Sequence, residues 1–77
     1  MITHVQIRMA RMGLGWAAEE LAERAQVSVR TIRRCERGEV LKVPTLRLIQ
    51  RALEAGGVGF FEDGETVGVR VPKEPAS

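Results

Sequence analysis

Four arginines, Arg30, Arg33, Arg34 and Arg37, recur at spacings of three and four within the stretch from Leu21 to Gly38. At about 100° per residue on a helix, their guanidinium groups fall within roughly 100° of arc, and Ile32 and Cys35 point the opposite way. One face is therefore core and the other a cationic ridge. Guanidinium groups crowded on so short a helix repel one another, so the arrangement suggests a polyanion as partner, with double-stranded DNA the leading candidate. The same residues offer little to catalysis. No pair of carboxylates, metal cluster or nucleophile with an adjacent base appears at a useful spacing, so neither enzyme activity nor a cofactor is expected. His4 and Cys35 are the sole soft ligands. They exclude a zinc site built within one chain, and a single cysteine excludes an internal disulfide. His4 reads as an exposed first-turn residue and Cys35 as a small, half-buried apolar one.

The elements that must position these arginines can be read from the apolar periodicity. Ile2 to Leu14 reads as a first helix, with Thr3 as cap, Gln6 reaching back to complete a capping box, and Ile2 and Ile7 as a hydrophobic staple. Ile7, Ala10 and Leu14 continue its apolar stripe. Trp16 and Leu21 make a second staple around Ala17, which cannot cap through its side chain, so the carboxylates of the first turn must help hold that helix end. Leu21, Ala22 and Ala25 form the buried stripe, and the alanines leave room for a close helix crossing. After a break at Gln26 and Val27, Ser28 caps the arginine helix, which Gly38 ends. Pro44 suits the first turn of a last helix whose Leu46, Ile49 and Leu53 face the core.

From Val58 the period changes to two. Asp63-Gly64 between two valine- and phenylalanine-bearing runs predicts a β-hairpin with a type I′ turn. That turn would set Glu62 opposite Glu65, Phe60 opposite Val67, Val58 opposite Val69, and Gly59 opposite Gly68. Residues 72–77 have too little apolar content to order themselves and read as a disordered tail.

Of the 77 residues, those from 1 to 53 hold ten Lys or Arg against five acids, whereas residues 54 to 77 hold two against five. The basic part is the helical part. A chain of this length supports one modest core and no separate effector domain. Without an apolar run long enough for a bilayer or a signal-like amino terminus, it is expected to be cytoplasmic, with no membrane partner.

Residues 4 to about 55 resemble the helix-turn-helix domain of the phage repressor and Cro, or XRE, family. The resemblance rests on Ile7, Ala10 and Arg11, on EELA at 19–22, on VSVRTIRRCERG at 27–38 and on PTL at 44–46. It implies a mainly α fold, a four-helix Cro/repressor-like bundle over residues 1–57, with the hairpin of residues 58–71 in place of a fifth helix. It implies that Val29, Arg30 and Arg34 face base edges in the major groove. Ser28, Arg33, Arg37 and Lys42 would contact phosphates, and Arg11 would share itself between Glu36, as a structural ion pair, and the backbone of the DNA. Three positions depart from the family pattern: Ala17 and Ala18 replace a capping Ser or Thr and a contacting Gln, and Gln26 replaces a turn glycine. The function expected is a sequence-specific transcriptional regulator acting as a homodimer, with an antitoxin or protein-interaction module, its partner unknown, as the alternative. The hairpin is the expected dimer element, through Val58, Phe60, Phe61, Val67 and Val69.

Overall fold

The computed structural model describes residues 1–74, and its elements are α1 (His4–Gly13), α2 (Ala18–Ala25), α3 (Val29–Glu36), α4 (Val43–Ala55), β1 (Gly59–Asp63) and β2 (Thr66–Arg70). Four helices and one antiparallel hairpin give the mainly helical bundle that the apolar pattern implies.

Each helix begins where local chemistry dictates. The Thr3 hydroxyl accepts from the Gln6 amide at 3.2 Å and the Gln6 Oε1 accepts from the Thr3 amide at 2.9 Å, closing the capping box. The Ser28 hydroxyl accepts from the Thr31 amide at 3.1 Å and so starts α3. Ala17 caps α2 by backbone alone, with Glu19 and Glu20 in the first turn opposing the positive helix end. Lys42 likewise offers α4 no side-chain cap, and Pro44 lies in that helix's first turn.

The core gathers Ile7, Ala10 and Leu14 from α1 and its end, Trp16, Leu21, Ala22 and Ala25 around α2, Ile32 and Cys35 from α3, Ile49, Ala52 and Leu53 from α4, and Val58. Leu46 is only half-buried and packs at its margin. The Trp16 indole N–H is buried without a hydrogen-bond partner among the described residues, and the Arg24 guanidinium lies 4.3 Å from the ring centre, a cation–π contact that holds the indole in place. Between α2 and α3, Gln26 has φ 58°, the one non-glycine residue with positive φ among those described. That conformation costs an L-residue about 1–2 kcal/mol, which the crossing of α2 on α3 must offset.

The hairpin forms in a different register from the one expected. Asp63 pairs with Thr66, Glu62 with Val67, Phe61 with Gly68, Phe60 with Val69 and Gly59 with Arg70. The turn is therefore centred on Gly64 and Glu65, one residue later, with φ of 60° at Gly64 alone, the pattern of a type II′ turn. Two effects favour it. The expected register would oppose the like charges of Glu62 and Glu65, which is destabilising across a strand pair. The observed one lays the Phe61 ring over Gly68, where any Cβ would collide with the ring. A shift of two in pairing leaves the faces unchanged, so Phe60 and Val69 still pack on the helical core while Phe61 looks outward.

Val71 lies against Gly13 and Pro72 against Gly57, which carries the chain back onto the helices beyond β2. Of the tail expected at 72–77, Pro72 is thus packed, and residues 75–77 lie outside the described residues.

Candidate nucleic-acid interface

α3 is eight residues long, and its two buried side chains, Ile32 and Cys35, fix its rotation about its own axis. Burial among apolar neighbours pushes the Cys35 thiol pKa up, so this sulfur is held as a neutral packing group. With Ile32 and Cys35 inward, Arg30, Arg33, Arg34 and Arg37 are all exposed. Their side chains do not rest free. Arg33 Nη2 donates to Glu19 at 2.6 Å, Arg34 Nε to Glu39 at 2.9 Å and Arg37 Nη2 to Glu39 at 3.0 Å. The mutual repulsion of the arginines is thus relieved inside the free chain by two carboxylates, neither of which was among the expected site residues. Arg30 makes no ion pair among the described residues.

These contacts are weak by position. The side chains of Arg33, Arg34 and Arg37 are 53%, 47% and 64% exposed, and ion pairs so open to water contribute little. They act as a neutralising coat that a stronger polyanion can displace. The hydrogen bonds of Arg34 and then Arg37 hold the Glu39 carboxyl below the usual carboxylate range.

Other expected site residues have local duties. Ser28 remains exposed, but its hydroxyl caps α3 and lies 2.9 Å from the Thr31 hydroxyl. Val29 is half-buried and partly packed on the core, which leaves one side of it open at the start of α3. Lys42 is exposed at the cap of α4. His4 sits over Gly38, two residues beyond the end of α3.

Arg11 is the most constrained of the set. Its Nε and Nη2 fork onto the two Glu36 oxygens at 2.7 and 2.9 Å, and its Nη1 donates to the Trp16 carbonyl at 2.8 Å. The bidentate bond to Glu36 raises its pKa further above an already high value. The pair joins α1 to the last residue of α3.

In the hairpin, Val58 is closed into its own chain's core, Phe60, Val67 and Val69 are half-buried, and Phe61 is 44% exposed. Among the described residues no cluster of His, Cys, Asp and Glu could hold a metal ion, and no helix is long and apolar enough to cross a membrane.

A family model described as helix-turn-helix matches residues 7–62. No curated protein matches the chain at a significant level. The matched region starts within α1, covers α2, α3 and α4, and reaches into β1.

Proposed function

The chain belongs to the XRE-type helix-turn-helix family, a family of DNA-binding regulators, and from that premise we propose that it is a sequence-specific transcriptional regulator that occupies operator DNA as a homodimer. The observation that carries this reading is the exposed arginine face of α3 set opposite a buried Ile32–Cys35 stripe. In the proposed docking, Val29, Arg30 and Arg34 meet base edges, an arginine being able to bond guanine O6 and N7 together. Ser28, Arg33, Arg37 and Lys42 meet phosphates, with Arg11 held behind them by Glu36. One such domain covers a single half-site, so useful affinity calls for two copies joined through the hairpin, with cytoplasmic DNA as the target. Selection from random duplex DNA with the purified protein should enrich an inverted repeat with half-sites about one helical turn apart. Recovery of no motif, even at low salt, would sink this reading.

The carboxylate coat leads to a second expectation. Binding must strip Glu39 from Arg34 and Arg37, so Glu39→Gln should bind DNA tighter by about two- to five-fold, as suits the removal of weak exposed pairs. Freed of its arginines, the Glu39 carboxyl regains its ordinary pKa in the complex. Binding then takes up a proton between the depressed and the ordinary value, so affinity rises as pH falls through the carboxylate range, and Glu39→Gln should flatten that rise. Fluorescence anisotropy with a labelled operator from pH 7 downward measures both effects; a variant that binds more weakly at all pH values would show Glu39 to be a contact instead.

One observation favours a module that binds protein as well as DNA. Val5, Met9 and Met12 recur at spacings of four and three along α1 and are exposed. Copurification of a second, different chain would favour that alternative, an antitoxin whose DNA binding is autoregulatory.

A further inference from the structure

The two edges of the hairpin are not equivalent. β2 is the strand that runs along α1, and beyond it Val71 covers Gly13, whereas Gln6 Nε2 donates at 3.0 Å to one carbonyl on each strand and so ties the hairpin as a whole to α1. β1 lies on the outer side. Asp63 and Thr66 close a two-residue loop, so hydrogen-bonded pairs fall at 63–66, 61–68 and 59–70, and the N–H and C=O groups of Phe60 and Glu62 point away from β2. Among the described residues nothing bonds to them.

We infer that β1 is the seam of the dimer: it pairs antiparallel with β1 of a second copy of this chain about a twofold axis at Phe61, making one four-stranded sheet. The inference rests on the homodimer reading above and specifies its partner and register. Centred there, Phe60 stands opposite the partner's Glu62 and Glu62 opposite the partner's Phe60, so the outward-pointing groups of both strands bond one another. Charge selects this centre. An axis at Glu62 would oppose two carboxylates, and one at Phe60 would require Val58, which is buried in its own core. With the axis at Phe61, Asp63 falls beside the partner's Gly59, whose ladder neighbour is Arg70. Glycine puts no side chain between them, and Arg70 can reach across to Asp63, twice in the dimer. Among the described residues, none of the carboxylates at the hairpin tip, Glu62, Asp63 or Glu65, is ion-paired. Phe61 does not obstruct the seam, because its ring leans back over its own Gly68, with the Arg70 guanidinium 5.2 Å from the ring centre.

The test uses the full chain. Sedimentation should find a dimer. Under mild oxidation Phe61→Cys should cross-link to its twin, since the two Cα atoms of such a pair stand about 4.5 Å apart, within disulfide reach. Glu65→Cys, far from the axis, should stay at the background set by the parent chain with its buried Cys35. Glu62→Pro removes one outward N–H that no group among the described residues uses. It should keep the parent's circular dichroism while its dimer dissociation constant rises at least about tenfold. Equal cross-linking at 61 and 65, a Glu62→Pro variant as dimeric as the parent, or a parent that sediments as a monomer at 100-fold the concentration needed to bind DNA (on the order of 100 μM for a micromolar binder) would each overturn the seam. DNA selection is read separately: a chain that enriches a motif but fails these tests refutes the seam and leaves DNA recognition standing, and a dimer that enriches none does the reverse.

Discussion

Replacing Arg11 or Glu36 singly by alanine should lower the free energy of unfolding by about 2–4 kcal/mol, and replacing both should cost clearly less than the sum. The magnitude follows from position. Exposed pairs contribute about 0–1 kcal/mol and breaking a fully buried one costs about 3–5. Here the side chains are 16% and 11% exposed, close to the buried limit. Losing Arg11 strands the Glu36 carboxylate and also the Trp16 carbonyl that accepts from Nη1 at 2.8 Å. Losing Glu36 strands a forked guanidinium between α1 and α3. The double variant strands neither charge, so urea denaturation of the four proteins should yield a coupling of about 1 kcal/mol or more. Additive losses would show that the two side chains act independently despite their geometry.

In DNA binding, Arg34→Ala should weaken the selected operator by about 1–3 kcal/mol and relax preference at one base pair in each half-site. Removing a base-reading side chain outweighs what the exposed Glu39 pair returns, because a bidentate bond in a dehydrated groove is worth more than a solvated ion pair. Arg37→Ala should instead weaken all sequences alike and lower the slope of log affinity against log salt by about one unit, since one phosphate fewer is neutralised. Titrations of operator and scrambled duplex at several salt concentrations separate the two. Should both variants bind less tightly with base preference and salt slope intact, the docking assigned to α3 is wrong.

What could be read from sequence was what is decided within one helical turn. Thr3 and Gln6 are three residues apart, as are Ser28 and Thr31, so both caps are local geometry. The apolar inward set on α1, α2 and α3 followed from spacing alone, whereas on α4 Ala52 joins Ile49 and Leu53 in the core and the expected Leu46 stays at its margin. Pairing across the chain was less legible. Both Asp63-Gly64 and Gly64-Glu65 suit a tight turn, and the choice between them was made by Glu62, Glu65, Phe61 and Gly68, two strands acting together. Glu19 and Arg33 are 14 residues apart, and nothing but the angle at which α2 crosses α3 brings them to 2.6 Å. Glu39 carried a fainter local signal, an acid placed just beyond a run of arginines, but its neutralising role depends on how the chain turns at Gly38.

The amide of Gln6 has an outcome that reaches beyond capping. Its Oε1 holds the start of α1, and its Nε2 donates at 3.0 Å to the carbonyls of both Phe61 and Gly68, one on each strand. Arg11, five residues on, clamps the end of α3. A single helix is therefore the common mount for the hairpin and for the arginine face, with no free linker between them. In a dimer joined through the hairpin, such a frame behaves as a stiff caliper. An added base pair between half-sites moves one of them by about 3.4 Å along the axis and by roughly 35° around it. A tethered pair of domains would absorb that step. A rigid one must bend the DNA or give up a half-site, so this protein should tolerate variation in operator sequence far better than variation in operator length.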